Sequence, residues 1–410
     1  MSVSNLLLSR PPIANFAEPV AELRLKFLPA SSKVEALTLW RSLEAELSNQ
    51  RIACSSLWVD TWLNHYGSFI PHQFVIGLRG GIPCGMTLLT QGVQQCAGPL
   101  RLRTRHVGTA GEPEADSVCV EYNATLAAPQ DRLEFDRAIW KWAIHETNCD
   151  EFHLDGFDSP SIEQFLTDYS SATVERKKAY WFDLSATRDA GEDPIMRLGA
   201  HTRGNIRRNL RILGDVRGEW ADSTARAEQM FHELIKLHQA RWNAEGLPGV
   251  YSSERFLNFH LDLLNRAIPR GMMAVFGVFT GQSMIGCCQM MIDDNRCLLY
   301  QCGRAPATGR ASHGLALDFL CICEALRRGY NAVDFLAGDN DHKRRLSTCQ
   351  AELAWAIWRR PSLKNKLIAA MRNLKRASDK FRCTNPAARA SRMTSDEPAA
   401  NAETKENLPS

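Results

Sequence analysis

The chain has 410 residues, of which 44% are apolar, 23% charged and 8% aromatic. That length is too great for one core of ordinary size, so two domains are expected; a small disulfide-stapled module and bulk disorder are both excluded. With 49 basic against 46 acidic residues the net charge is +3, which alone argues for neither a nucleic-acid nor a membrane partner.

The longest apolar run, Leu315 to Cys323, is broken by Asp318 and is too short to span a bilayer. The N-terminus, MSVSNLLLSRPP, lacks the charged start and apolar stretch of a secretory signal, which points to the cytoplasm. Thirteen cysteines, an odd number, sit in apolar stretches such as Ile285 to Cys288, and no C-x-x-C occurs. They read as reduced core residues, and no metal site is expected.

Taken in order, residues 1–20 are irregular and residues 384–410 are poor in large apolar side chains, so both ends are expected to be disordered. A first block spans 21–187. Apolar periodicity predicts helices from Lys33 to Leu47, from Ser56 to Tyr66 and from Pro129 to Thr147. Strands are predicted at Gln73 to Leu78 and Pro83 to Thr90 around the Gly80-Gly81 turn, then at Leu102 to Val107, Val118 to Tyr122, Glu151 to Leu154 and Thr173 to Leu184, with a short helix from Ser161. A second block, 221–360, repeats this grammar. Its helices are Ala225 to Arg241, Glu254 to Ala267 and Gly314 to Arg328; its strands are Met273 to Phe279, Met284 to Ile292, Cys297 to Cys302 and Ala332 to Leu336. The architecture is therefore a duplicated α/β one, each unit a mixed, mostly antiparallel sheet with helices on its faces.

Between the blocks lies a basic linker, 188–220. From Met196 to Gly218 it carries six arginines, among them Arg207 and Arg211, against the single acid Asp215. This is either a phosphate-gripping helix face or a solvated face whose leucines dock on a sheet. A basic amphipathic helix, 361–383, follows the second block. It either lies on an anionic membrane leaflet or packs its leucines on the second domain.

Four stretches carry a family resemblance: Arg203-Gly-Asn-Ile-Arg-Arg-Asn-Leu-Arg211, His238-Gln-Ala-Arg241-Trp242, Gly314 opening a helix, and Asp334-Phe-Leu-Ala-Gly338-Asp339 followed by Lys343. In order and spacing the chain resembles the GNAT acyltransferases, within them the two-domain branch named after a bacterial cellulose-biosynthesis protein, and more distantly the FemABX peptidyltransferases. The resemblance implies tandem GNAT-like domains, with acetyl-CoA or another acyl-CoA as acyl donor. The acceptor would be a small amine or amino sugar of envelope or exopolysaccharide metabolism. Localisation would be cytoplasmic, with possible peripheral inner-membrane contact through 361–382. No DNA partner is implied; tRNA enters only under the FemABX-like alternative, where aminoacyl-tRNA is the donor. A third alternative is a non-catalytic scaffold in polysaccharide assembly.

A helix N-terminus can hold the donor pyrophosphate on free N–H groups. Arg304, Arg310, Ser312, Gly314 and Ala316 are the candidates; the loop is one residue longer than the family's usual pattern. Acyl transfer also needs an amine deprotonated, an oxyanion stabilised and a thiolate protonated. Asp334 and Asp339 are candidates to orient or deprotonate the amine, Lys343 to pair with phosphate or oxyanion, and His342, which stands where the family usually has Tyr, for acid or base work. Glu121, Asn123, Arg207, Arg211, His238, Arg241 and Trp242 are the substrate-binding candidates. For the last three, a purely structural helix-end cluster is the alternative.

Overall fold

A computed structural model describes residues 21–47, 51–118, 121–306 and 311–384. The first half runs β1 (Leu23–Pro29), α1 (Lys33–Glu46), α2 (Ser56–His65), β2 (His72–Arg79), β3 (Ile82–Gln91), the hairpin β4 (Cys96–Ala97) and β5 (Leu100–Arg101), then β6 (Thr104–Val107) and β7 (Leu126–Ala127). It continues with α3 (Pro129–His145), β8 (Glu151–Asp158), α4 (Ser159–Asp168) and β9 (Thr173–Asp183). Next come α5 (Leu184–Asp189), α6 (Ala200–Leu213), β10 (Val216–Trp220), α7 (Thr224–Ala244), α8 (Glu254–Ala267), β11 (Met273–Thr280), β12 (Ser283–Asp293) and β13 (Arg296–Arg304). The chain ends with α9 (His313–Arg327), β14 (Ala332–Ala337), α10 (Asp341–Leu346), β15 (Cys349–Arg359) and α11 (Leu363–Thr384).

Local chemistry fixes several starts. Ser55, Asp158, Ser253 and Ser312 each accept a backbone N–H three residues on, capping α2, α4, α8 and α9. In α8 the apolar stripe Phe256, Phe259, Leu263, Leu264 and Ala267 is buried along one face.

The strands form one 13-stranded sheet in the order β1-β2-β3-β6-β8-β15-β9-β14-β13-β12-β11-β10, with β7 beside β3. The α/β fold is as expected, but the two expected sheets are a single one. Its halves repeat. β1 to β2, β2 to β3 and β3 to β6 are antiparallel and β6 to β8 parallel. On the other side β10 to β11, β11 to β12 and β12 to β13 are antiparallel and β13 to β14 parallel. Each half is then completed by a strand from outside it. β15, at the end of the chain, pairs with β8; β9, which follows the first half, pairs with β14; and β9 and β15 pair with each other at the centre.

On one face a single apolar cluster runs through both halves, from Trp40, Trp58 and Trp62 to Phe231, Phe259 and Leu263. On the opposite face two clusters stay separate. One contains Phe135, Trp140, Phe152 and Phe165; the other contains Ile206, Phe276, Phe319 and Ile322. Buried apolar area of this extent on both faces is the main term holding the sheet. Polar clamps tie α2 to α8: Arg266 donates to Asp60 at 2.6 Å and to Thr61 at 2.7 Å.

Several expectations need correction. Residues 188–220 do not form an independent linker: α6 buries Thr202, Ile206 and Asn209, and β10 is the sheet's edge strand. Strands β1, β4, β5, β7, β10 and β15 are not among those expected from the sequence. Around Val118 to Tyr122 no strand forms among the described residues; the chain makes an isolated bridge from Asn123 to Phe157. Among its described side chains the basic helix α11 docks on the first half: Lys364 donates to Asp150 at 2.6 Å and Ile368 is buried, while Leu363, Leu367 and Leu374 are exposed. The ordering of residues 1–20, 385–410 and Arg310 lies outside the described residues.

Candidate active site

Parallel pairing of β13 with β14 covers only Arg296 to Leu298 against Ala332 to Asp334. Beyond these pairs the strands part toward their carboxyl ends, where open α/β sheets place ligands. The crossover helix α9 begins there. A Cβ built on Gly314 would stand 2.6 Å from Nη1 of Arg304, so the absence of a side chain lets that guanidinium lie against the helix N-terminus. Ser312 caps the helix, and Ala316 is buried. Both main-chain groups of Ser312 are held by Asn209 of α6: the Ser312 N–H donates to Oδ1 at 2.6 Å, and Nδ2 donates to the Ser312 carbonyl at 2.9 Å. Arg304, Ser312, Gly314 and Ala316 are thus brought together. A positive charge beside a helix N-terminus fits a pyrophosphate.

In the first half the equivalent opening, between β6 and β8, is plugged. Nδ2 of Asn123 donates to the carbonyls of Val107 at 3.0 Å and Asp155 at 3.1 Å, and the Asn123 N–H donates to Gly156 at 2.9 Å. Asn123 thus braces the strands, and it also lines a small pocket with Arg51, Tyr122, Thr125 and Arg132.

A cleft of about 600 Å³ lies at the end of β14. Glu121 of the first half, Gly338 and Asp339 form one wall; Lys177 and Lys178 of β9 and Trp355 of β15 form another. Glu121 accepts the Ala337 N–H at 2.6 Å, and burial pushes its carboxyl up from the ordinary value. Asp339 accepts the Tyr180 hydroxyl at 2.8 Å. Lys343 donates to the Ala337 carbonyl at 2.6 Å, and a Cβ on Gly338, whose φ is +130°, would meet its Nζ at 2.9 Å. Glu121, Asp339 and Lys343 thus converge on one place.

The other candidates separate from it. Asp334 is fully buried, accepting from the Tyr122 hydroxyl at 2.7 Å, from Arg296, and from the Leu336 N–H at 2.7 Å; burial pushes its carboxyl up. It ties the halves together and does not line the cleft. Leu336 and Tyr122 both have left-handed backbones, φ +61° and +55°, on either side of this knot. His342 turns toward α9, where its Nε2 lies 2.5 Å from Asp318. His238 is buried and accepts from Trp242 at 2.8 Å; Arg241 pairs with Glu245 and stacks on Trp242. These three make a local cluster on α7, and burial pushes the His238 imidazole down. Arg207 and Arg211 are exposed on α6.

Sequence reasoning gave no role to Asn209, Tyr180 or Arg296. Asn209 lies inside the arginine motif and Tyr122 between two named residues, so neighbouring signals existed. What was missing was the pairing partner, which is 103 residues away for Asn209 and 212 for Tyr122.

Residues 200–344 match the family described as acetyltransferase (GNAT) domain. Among solved structures the chain is similar to FemX, at 11% identity over 81% of this chain and 96% of that one, with a TM-score of 0.52. It is also similar to the C-terminal domain of an Agrobacterium fabrum protein assigned as a lysylphosphatidylglycerol synthetase, at 9% identity over 83% and 96%, with a TM-score of 0.50. A tandem GNAT protein from the clavulanic acid biosynthesis pathway aligns at 14% identity over 83% and 100%, with a TM-score of 0.46. The likenesses to the first two describe the fold. No curated protein sequence matches the chain. No helix among the described residues is long and apolar enough to cross a membrane.

Proposed function

We propose that the chain is an N-acyltransferase that takes an acyl group from acyl-CoA and delivers it to an amine held between its halves. The observation that carries this reading is the parting of β13 and β14 with Arg304 laid against Gly314 at the start of α9. Arg304 and the first N–H groups of α9 hold the donor pyrophosphate. Glu121, whose carboxyl is raised by burial, takes a proton from the acceptor ammonium, and Asp339 orients that ammonium. The amine nitrogen then bonds to the thioester carbonyl carbon, the C–S bond breaks, and the thiol leaves with the second amine proton. Lys343 supplies positive charge beside Gly338 for the oxyanion. The acceptor is read as a small amine or amino sugar of the cell envelope or an exopolysaccharide.

Calorimetry with acetyl-CoA and longer acyl-CoAs tests the donor. Arg304→Ala should weaken binding by about tenfold, the loss of one charge-assisted contact. No binding of any acyl-CoA refutes the reading. A second reading, aminoacyl-tRNA as donor, is favoured by the exposed Arg207 and Arg211 on the helix that clamps Ser312, together with the likeness to FemX. Salt-sensitive tRNA binding without acyl-CoA binding would select it.

A further inference from the structure

The first half gathers a second set of chemistry-bearing side chains away from the cleft. β6 and β8 run parallel with His106 opposite His153. Both imidazoles leave the sheet on one face, with ring centroids 4.5 Å apart. Two residues along β8 the strand alternation returns Asp155 to that face, and its Oδ2 lies 2.7 Å from Nδ1 of His106. The coordinating atoms of His106, His153 and Asp155 all lie within 4.8 Å of one another. His106 is buried and the other two are half-buried.

Neighbours on the same two strands orient these groups. Glu151 engages Nε2 of His153 at 3.2 Å, which leaves Nδ1 as the nitrogen available to a ligand. Glu151 is itself held by Arg359 at 2.9 Å. Thr104 Oγ1 stands 3.0 Å from Nε2 of His106. An imidazole whose second nitrogen is fixed by a carboxylate or hydroxyl is the usual surrounding of a metal-binding histidine.

We propose that His106, His153 and Asp155 bind one divalent transition-metal ion of the zinc class, which staples β6 to β8. Two imidazoles and one carboxylate select such an ion over magnesium or calcium, which take oxygen ligands. Ligands about 2.0–2.2 Å from one ion stand roughly 3.4 Å apart in tetrahedral geometry. That separation falls inside the range the three residues span, so loading parts His106 from Asp155 by less than about 1 Å and draws His153 in. The fourth position is left to water. The expectation of no metal rested on the lack of a cysteine motif; here the ligands are contributed by strands whose paired positions, His106 and His153, lie 47 residues apart and carry no contiguous signature.

The test uses the full chain, freed of metal by chelation and titrated with Co²⁺ and then Zn²⁺. The expected result is one Co²⁺ per chain with the visible bands of a tetrahedral nitrogen and oxygen site, displaced by Zn²⁺, and a thermal midpoint that rises with Zn²⁺. Asp155→Asn, which keeps the side-chain shape, and His153→Gln should each lower Zn²⁺ affinity by about tenfold or more. His232→Gln, at an exposed histidine, should leave it unchanged. Absence of Co²⁺ uptake by the unmodified chain overturns the proposal, whatever the variants do. Uptake that Asp155→Asn and His153→Gln do not weaken, in folded protein, overturns it as well.

Discussion

Asn209→Ala isolates the support beneath the helix N-terminus. The side chain is buried and makes two hydrogen bonds to the main chain of Ser312, at 2.6 and 2.9 Å. Each such bond contributes about 1 kcal/mol net, and a buried partner left unpaired would add the cost of its desolvation. Ser312 is exposed, so water can take over both of its main-chain groups. The expected loss is therefore about 2 kcal/mol, and not the 4 or more that orphaned buried groups would cause. Isothermal urea denaturation followed by tryptophan fluorescence gives the stability. Calorimetry on the same samples gives acyl-CoA affinity, which should also fall because the Ser312 cap and Arg304 are no longer held in register. A variant within about 0.5 kcal/mol of the parent, at unchanged slope, would refute the clamp.

Glu121→Gln should lower turnover more than it changes acceptor KM. Because burial raises the Glu121 carboxyl, the parent's rate should climb with pH along a limb above the ordinary carboxylate range, and a pH–rate profile of the variant should lack that limb. Asp136 gives a stability counterpart. It is buried, accepts the Thr125 hydroxyl at 2.7 Å, and its carboxyl is pushed up to about 7 by burial. Its folded pKa lies above the unfolded one, so the native state holds the extra proton, and this group's stabilisation is lost as pH rises from about 4 to about 7. Asp136→Asn should flatten that slope in denaturation curves and gain stability at pH 8; an unchanged slope would count against it. At Gly303 an added Cβ would stand 2.4 Å from the Leu234 carbonyl of α7. Gly303→Ala should therefore cost about 3 kcal/mol by prising α7 from β13, and a thermal midpoint equal to the parent's would contradict this.

Helices with clear apolar stripes were legible in the sequence, α8 to the residue. Strand β1 was missed although Leu23, Leu25 and Phe27 alternate with Arg24 and Lys26. β15 is different. Leu353 to Trp358 is a continuous apolar run, as suits a strand buried in mid-sheet, and such a run has no periodicity to read. Its partner could not be inferred either, because β8 lies far earlier in the chain. The same limit applied to the site. Lys343, Asp339 and Glu121 were named from motifs and do meet. Asp334, in the same motif, enters the interior because a left-handed Leu336 and a register shift turn the strand after it. A motif lists residues; the bulge decides which of them face the cleft.

The exchange of β9 and β15 bears on how the protein is made. When β8 leaves the ribosome its inner edge has no partner, and the strand that will cover it begins at Cys349. At about 5–20 residues per second, synthesis of the intervening chain takes roughly 10–40 s. Throughout that interval a buried apolar strand edge is open to any other strand, a neighbouring nascent chain included. Chains cut short before Cys349 should therefore accumulate as aggregates and not as a soluble first half, and folding yield in the cell should respond to translation speed in the second half of the message.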